Sequence, residues 1–232
     1  MKIISPSHEI LGAPDGASIL KTIEMAGRTC YKSEDRITAD SAEGFVRRLI
    51  TSGHLSVIEH FNLTVRFVCD RGVTHELVRH RLASFSQEST RYANYSREKF
   101  GNEITVIRPL FWDEMSPQFE LWRIAMAHAE KMYMALLQSG ARPEQARSVL
   151  PNSLKTEIVL TCNLRQWRHV IRLRCEKAAH PQIREIMLPL LEELHAVVPV
   201  IFDDLYERFR DDISELNRTV KNRQVTCPCS GG

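Results

Sequence analysis

Residues 117–139 read PQFELWRIAMAHAEKMYMALLQS and carry the clearest secondary-structure signal of the chain. Apolar residues recur along them at three- and four-residue steps, at Phe119, Trp122, Met126, Ala129, Tyr133 and Leu136. That spacing places them on one face of an α-helix. Pro117 suits the first turn of such a helix, and Gly140 suits its end. The stretch therefore predicts one long helix that packs through an apolar face.

Alternating residues outside this helix predict strands. In residues 61–69 every second side chain is apolar, at Phe61, Leu63, Val65, Phe67 and Cys69. This pattern is typical of a strand buried on one face. Residues 1–5 and 104–107 predict two further short strands. Residues 154–161 alternate weakly and fit either a strand or a helix.

Helical patterns occupy most of the remaining chain. Helices are predicted over residues 17–31, from Asp40 or Ser41 to Gly53, over 73–82, from Pro143 to Pro151, over 164–177 and from Pro181 to about His195, with Pro199 as a candidate interruption. Helices outnumber strands, and the strands are far apart in sequence. We therefore predict an α+β (mixed α/β), helix-rich fold with a central sheet packed by long helices. Without a linker composition, we expect a single domain over residues 1–216, followed by a mobile tail over 217–232.

The overall charge excludes two classes of protein. The 232 residues contain 31 Lys and Arg against 29 Asp and Glu, a net charge of +2. This excludes a generally basic nucleic-acid coat protein and an acidic disordered protein. Locally, residues 142–177 hold eight basic against three acidic residues, whereas 201–216 hold six acidic against two basic. Concentrated arginines in a nearly neutral chain indicate a local anionic ligand.

Apolar runs and cysteines bear on the cellular compartment. No apolar run approaches the roughly 18 residues of a membrane span, and the start from Met1 has no apolar signal segment. The six cysteines are scattered, and four lie inside apolar segments. This spacing is typical of reduced thiols in a cytoplasmic protein.

The densest polar segment of the chain is residues 79–92, RHRLASFSQESTRY. It holds three arginines but neither Asp nor Lys. It is either a solvated loop or an anion-binding segment, since Arg offers phosphate a fixed fork and Ser or Thr hydroxyls complete a phosphate cradle. Glu76 precedes Arg79 by three residues and His80 by four, so the three share a helix face.

This segment resembles the signature of the flavin-dependent thymidylate synthases. Arg79-His80-Arg81 is followed, after seven residues, by Ser89 and then by Arg91-Tyr92. Other matching pieces follow in family order over residues 17–205: Gly53-His54 with Glu59-His60, Arg147 before Leu150-Pro151, Asn163-x-Arg165, His169, Arg172-Leu173-Arg174 and His180.

The resemblance implies reductive methylation of dUMP to dTMP. It implies 5,10-methylenetetrahydrofolate as carbon donor, FAD as hydride carrier and NADPH as reductant. It also implies a homotetramer with shared active sites and no nucleic-acid or membrane partner. Three anionic ligands would explain arginines in two distant segments of a nearly neutral chain.

The resemblance also implies roles for individual residues. The dUMP contacts implied are Glu76, Arg79, Gln87, Ser89, Arg91, Arg147 and Arg174. The FAD contacts implied are His54, Ser56, Glu59, Arg79, His80, Arg81, Asn163, Arg165, His169 and His180. Arg174 is the implied catalytic residue, because a cation against the uracil carbonyls stabilises the charge that develops as C5 becomes nucleophilic. Ser89 is expected to contact phosphate, with a nucleophile activated by His80 as the alternative.

Three positions depart from the family pattern. Glu76 stands where Gln is common, Ser86-Gln87 stands where Asn-Glu is common, and His169 stands where Asn is common. The family carboxylate has therefore moved to Glu88 or is absent. Among the cysteines only Cys175, which follows Arg174, merits a test as a reactive thiol.

Two other functions compete with this interpretation. Four histidines lie within residues 54–80, but their spacing does not match a zinc helix, so we expect no metal. Arginines of 165–174 with Trp167 could bind single-stranded nucleic acid, although Trp167 also fits a helix core. A structural alternative for Arg147 and Arg174 is an ion pair with the acidic stretch 201–216.

Overall fold

The computed structural model describes residues 1–12 and 14–226. Its helices are α1 Gly16–Thr29, α2 Ser41–Thr51, α3 Arg71–Leu77, α4 Pro117–Gln138, α5 Pro143–Ala146, α6 Leu164–Arg174, α7 Pro181–Val197 and α8 Pro199–Thr226. Its strands are β1 Lys2–Ile4, β2 Ser7–Leu11, β3 Asn62–Asp70, β4 Ser84–Gln87, β5 Thr105–Ile107 and β6 Lys155–Asn163. The mixed α/β, helix-rich fold class is confirmed.

The chain forms two compact units. The first unit contains Met1–Glu9 and Thr64–Thr161, and the second contains Ile10–Leu63 and the chain from Cys162 onward. The domain limit expected at residue 216 stays a prediction. α8 continues through that position to Thr226, and the Cys227-Pro228-Cys229 segment lies outside the described residues.

The two sheets differ in their direction of pairing. β1 and β5 form a parallel pair, and a four-stranded sheet has the order β2-β3-β6-β4. β4 runs antiparallel to β6, with Gln87 opposite Ile158. Residues 155–163 are therefore a strand, which resolves the alternative that the weak alternation left open.

The core of the first unit is built around α4. Its predicted apolar face is buried at Phe119, Trp122, Met126 and Tyr133. The Ser116 hydroxyl caps the helix by accepting from the Phe119 amide at 3.2 Å, which satisfies one of the free amides of the first turn. The prediction from residues 117–139 is thus confirmed.

The core of the second unit is formed mainly by α7 and α8, which pack against each other. Ile183, Leu190, Leu191 and Phe202 are completely buried. α1 begins close to the end of α7: a Cβ on Gly16 would lie 2.0 Å from the Val197 carbonyl oxygen. Only glycine fits at that position.

Three elements differ from the sequence prediction. α3 occupies residues 71–77 rather than 73–82, because the Asp70 carboxylate caps it by accepting from the Val73 amide at 2.7 Å. β2 and β4 were not predicted, since each has only four or five residues and half-buried faces. The interruption expected at Pro199 is present, since α7 ends at Val197 and Pro199 begins α8.

Candidate functional site

The end of β4 presents consecutive side chains to opposite faces of the sheet, as in any strand. The Gln87 amide nitrogen donates to the Thr74 hydroxyl at 3.0 Å and reaches the Thr156 hydroxyl at 3.4 Å, and both threonines are buried. Glu88 points the other way, towards Lys155. Both oxygens of the Glu88 carboxylate are already bonded.

A cavity of about 560 Å³ lies beside Glu88 in the first unit. It is lined by Ser86, Gln87, Glu88, Ser89, Tyr92, Ala93, Lys99, Phe100, Lys155, Glu157 and Val159. A second cavity of about 340 Å³ shares Glu88, Lys99, Phe100 and Lys155 with it. Both volumes are of the size of small-molecule pockets.

Ser89 begins a turn at the mouth of this segment. Its carbonyl accepts from the amides of Tyr92 at 3.2 Å and Ala93 at 3.0 Å, and its hydroxyl oxygen accepts from the Arg91 amide at 3.3 Å. The side chain is exposed. A serine hydroxyl bonded in this way still has its own proton to donate, for example to a phosphate oxygen.

The predicted anion-binding arginines of the first unit have no carboxylate partners. Arg79, Arg81, Arg91 and Arg147 are exposed, and none makes an ion pair with a residue in 1–12 or 14–226. Arg147 donates to the Thr90 hydroxyl at 3.2 Å. The ion pair of Arg147 with the acidic stretch 201–216 is therefore not formed.

A charged network surrounds Glu88. Lys155 Nζ donates to Glu88 at 3.1 Å and to Glu157 at 2.7 Å, and the Tyr95 hydroxyl donates to Glu88 at 3.2 Å. Burial alone would lower the pKa of Lys155, but its bonds to Glu157 and Glu88 outweigh burial and raise it. The bond to Lys155 lowers the pKa of Glu157. Lys155 therefore stays charged and offsets one of the two carboxylate charges beside the cavity.

The predicted flavin contacts of the second unit are mostly on its surface. Arg165 donates to Glu59 at 2.6 Å, so these two bind each other. Asn163 caps α6 by accepting from the Gln166 amide at 2.9 Å, and His180 caps α7 by accepting from the Gln182 amide at 3.3 Å. The remaining predicted residues of this unit are His54, Ser56 and His169, which are exposed, and Arg174, which is half-buried.

The predicted site residues thus divide between the two units. The first unit holds Glu76, Arg79, His80, Arg81, Gln87, Ser89, Arg91 and Arg147; the second holds His54, Ser56, Glu59, Asn163, Arg165, His169, Arg174 and His180. Within the first set the structure brings Gln87 and Ser89 to one cavity. Glu76 is half-buried and His80 is buried.

Trp167 and Arg168 bear on the nucleic-acid alternative. Trp167 is completely buried, and its indole nitrogen donates to the Leu63 carbonyl at 3.1 Å. Arg168 forms a bidentate pair with Asp204 at 2.7 and 2.6 Å. Trp167 is therefore a core residue and has no face free to stack a base.

Histidines and cysteines were the other candidates for chemistry. Among residues 1–12 and 14–226, no group of three or more His, Cys, Asp or Glu side chains could hold a metal ion. Cys69, Cys162 and Cys175 are buried free thiols, whereas Cys30 is an exposed one. Burial raises the pKa of Cys162 and of Cys175 to about 12, so Cys175 is not an activated thiol.

Sequence reasoning missed three residues of the first unit: Tyr95 and Lys155, which line the second cavity, and Arg71. Arg71 has a buried guanidinium nitrogen, Nη1, without a hydrogen-bond partner in the described part of the chain. The Asn94-Tyr95 and Leu154-Lys155 positions carry no motif. The only sequence signal for this face of β6 was the alternation that places Lys155 and Glu157 on the same side of a strand.

Comparisons with known proteins agree on a family. The model of the family described as thymidylate synthase complementing protein matches residues 17–200. A flavin-dependent thymidylate synthase of Pyrococcus abyssi is 35% identical over 75% of this chain and 74% of its own length. One of Corynebacterium glutamicum is 34% identical over 82% of this chain and 80% of its own.

A solved structure has the same fold. The UMP/dUMP methylase PolB from Streptomyces cacaoi, bound with 5-Br dUMP, superimposes with a TM-score of 0.71 at 24% identity, over 88% of this chain and 96% of that one. In the described part of the chain, no helix is both long and apolar enough to cross a membrane.

Proposed function

This chain belongs to the thymidylate synthase complementing protein family, and on that premise we propose that it is a flavin-dependent thymidylate synthase. It converts dUMP to dTMP by attaching one carbon to C5 of uracil and reducing it. We propose 5,10-methylenetetrahydrofolate as the carbon donor, FAD as the hydride carrier and NADPH as the reductant. The observation that carries the proposal is 35% identity to a relative of this function over 75% of the chain.

The donor set of the first unit fits an FAD diphosphate. Arg79 and Arg81 are exposed and free of carboxylate partners within the described chain, and guanidinium groups bind diphosphate oxygens through charged hydrogen bonds. His80 lies between them and is buried. The bound flavin supplies hydride transfer, and the protein supplies position and charge.

The cavity lined by Ser89 supports a nucleotide site. Ser89, Arg91 and Arg147 hold the dUMP phosphate, while Glu76, Arg79 and Gln87 complete the contacts to the nucleotide. Arg147 is held by Thr90, the residue that follows Ser89, which ties the two phosphate contacts to one turn. The volume of about 560 Å³ is sufficient for a nucleoside monophosphate.

Arg174 acts on the uracil ring in this proposal. It ends α6 and is half-buried. A fixed cation against the carbonyl oxygens stabilises negative charge that appears only as C5 attacks. The other second-unit residues contact the flavin: His54, Ser56, Glu59, Asn163, Arg165, His169 and His180.

A homotetramer with shared active sites is part of the proposal. Leu82 and Tyr92, both inside the signature segment 79–92, are each 77% exposed. Large apolar side chains within a binding segment support coverage by another copy of the chain. We propose a cytoplasmic location because Cys69, Cys162 and Cys175 are free thiols. Neither nucleic acid nor a membrane is a partner.

Reconstitution of the reaction tests the function. Purified protein is expected to show flavin absorbance, and heat-released flavin is expected to co-migrate with FAD in chromatography. With dUMP, methylenetetrahydrofolate and NADPH it should form dTMP, and omission of any one should abolish product. Flavin-free protein that forms no dTMP even with added FAD would contradict the proposal.

A further inference from the structure

Glu88 has no implied role in the reaction, yet its carboxylate is bound on two sides. It accepts from Tyr95 at one oxygen, 3.2 Å away, and from Lys155 at the other, 3.1 Å away. Its backbone amide donates to the Glu157 carbonyl at 2.9 Å, which continues the pairing of β4 with β6 by one residue. Hydrogen bonds of both its main chain and its side chain therefore fix the position of Glu88.

Glu88 directly precedes Ser89, so fixing Glu88 also restricts the position of Ser89. We call residues 88–95 the Ser89 loop. Glu88 is its first residue and Tyr95 its last, so the Tyr95–Glu88 hydrogen bond closes the loop across its two ends. Ser89 and Arg91, the expected phosphate contacts, lie between them.

Packing restricts the far end of the Ser89 loop. Tyr95 is 5% exposed, and its ring contacts Phe100 edge-on at 5.1 Å and Tyr133 at 5.7 Å between centroids. Tyr133 also accepts from the Tyr95 amide at 3.4 Å. Because Tyr95 is packed on both sides of its ring, its bond to Glu88 ties the residue before Ser89 to the core of the unit.

A carboxylate beside a phosphate site would repel the ligand unless it were neutralised. Glu88 and Lys155 both line the cavity, and the side chain of each is about one fifth exposed. Lys155, which also bonds to Glu157, binds one oxygen of Glu88 and the Tyr95 hydroxyl binds the other, so Glu88 has no oxygen directed without a partner at a phosphate. This favours a role for Glu88 that acts through the loop rather than through contact with the nucleotide.

We propose that Glu88, bound to Tyr95 and Lys155, is a positioning residue that holds Ser89 and Arg91 in place for the phosphate of the nucleotide. The proposal rests on the proposed function. It adds a residue where the resemblance assigns only Gln87 and Ser89, and it assigns Tyr95 the same task from the other end of the loop.

The experiment compares Glu88→Gln, Tyr95→Phe and the double variant with Glu120→Gln as control. Glu120 is an exposed, ion-paired carboxylate of the same unit, bound to Arg123 at 2.6 Å, far from the loop in sequence. Both single variants should raise KM for dUMP about tenfold at unchanged kcat, which is the loss of one charged hydrogen bond. The effects of the two single variants should be less than additive in the double variant, because Glu88→Gln turns the charged Tyr95–Glu88 bond, which Tyr95→Phe removes, into a weaker neutral one.

Hydrogen exchange supplies a readout that needs no substrate. The amides of Tyr92 and Ala93 bond to Ser89. Their hydrogen-exchange rates should rise in both single variants and should equal the wild-type rates in Glu120→Gln. If Glu88→Gln raises KM but Tyr95→Phe does not, Glu88 contacts the nucleotide directly and the positioning role is wrong. If Glu88→Gln does not fold, Tyr95→Phe alone decides, since normal KM and normal exchange in it overturn the proposal.

Failure of the proposed function can be distinguished from failure of the positioning role. Wild-type protein that neither binds nor converts dUMP refutes the function, and the positioning role falls with it. If the wild-type protein converts dUMP and Tyr95→Phe has an unchanged KM for dUMP, only the positioning role is refuted.

Discussion

The arginines of the two units have different surroundings. In the first unit Arg79, Arg81 and Arg91 are exposed without a carboxylate partner among the described residues. In the second unit Arg165 pairs with Glu59, Arg168 with Asp204, Arg184 with Asp212 and Arg208 with Glu176. The local excess of arginine looks similar in the sequence of both regions, but the signature segment of the first unit leaves its guanidinium groups available to an anionic ligand, whereas these four arginines of the second unit are bound to carboxylates.

This difference distinguishes arginines that can bind a ligand from arginines that support the folded structure. An arginine bound to a carboxylate has its charge neutralised and its donors occupied. The acidic stretch 201–216 neutralises basic residues of α6 and α7, and this explains why a chain of net charge +2 can contain two arginine-rich segments. Arg174 is the arginine of the second unit to which we assign a role at the uracil ring, and the predictions below test it first.

Arg174→Ala is expected to have the largest effect. Negative charge on the uracil ring appears only during attack by C5, so loss of Arg174 should lower kcat about 100-fold. Arg147→Ala, which affects a phosphate of constant charge, should raise KM for dUMP with kcat largely kept. Steady-state kinetics with varied dUMP measure both. A KM effect for Arg174→Ala with normal kcat would place Arg174 among the ordinary anion-binding arginines.

NADPH oxidation by the bound flavin provides the control for that variant. The uracil ring takes no part in this half-reaction, so Arg174→Ala should reduce its flavin at the wild-type rate. Arg174→Lys should recover only part of kcat, because a point charge does not reproduce the planar fork.

Arg81→Ala should lose flavin while remaining folded. One charged hydrogen bond contributes about 1.5–3 kcal/mol, so flavin affinity should fall at least tenfold. The matched control is Arg123→Ala, an exposed arginine of the same unit that already pairs with Glu120. Absorbance of the purified variants measures flavin content. Full flavin in Arg81→Ala would show that an unpaired arginine in this segment does not bind the cofactor.

Arg184→Ala should lower stability rather than flavin content. Arg184 joins α7 to α8 by donating to Asp212 at 2.7 Å, and it also donates to the Cys175 carbonyl at 3.1 Å. Its loss leaves a partly buried carboxylate, which should cost about 2 kcal/mol and lower Tm by about 4–8 °C. Arg165→Ala is the control, since its pair with Glu59 is about half exposed and should contribute less than about 1 kcal/mol. Equal Tm changes would remove the distinction between the two pairs.

The buried thiols of the second unit should produce the smallest effect, a loss of stability at alkaline pH. The folded protein keeps the Cys162 and Cys175 protons to a pKa of about 12, whereas the unfolded chain loses them near 9. Above pH 9 the unfolded state binds fewer protons, so stability falls as pH rises. Each thiol should contribute about 1 kcal/mol between pH 9 and 10. Urea unfolding measures this slope, and Cys175→Ala should flatten it while leaving kcat within about twofold.

Local patterns predicted α4 and β3 well. The three- and four-residue spacing of α4 and the alternation of β3 identified both, because each element buries a regular face on the core. α8 was not predicted beyond Pro199, although Leu205, Phe209, Ile213 and Leu216 are buried at helical spacing. Charged residues between them obscured the pattern.

Short elements escaped sequence reasoning for a physical reason. β4 has four residues whose faces are only half-buried, so it has no apolar alternation. Its conformation depends on pairing with β6, a strand about 70 residues away. The same holds for the Glu88 network, since Lys155 and Tyr95 meet Glu88 only after the sheet has formed.

Sequence alone determined the fold class, the family signature at Arg79-His80-Arg81 and Ser89, and the identity of the residues that can bind anions, because these depend on local spacing and side-chain chemistry. Tertiary structure decided which of those residues are free. The sequence does not show that Arg165 and Arg168 are bound to carboxylates while Arg79 and Arg81 are not. A side chain's availability depends on the charges that folding places within about 4 Å of it, and most of those charges come from distant parts of the chain.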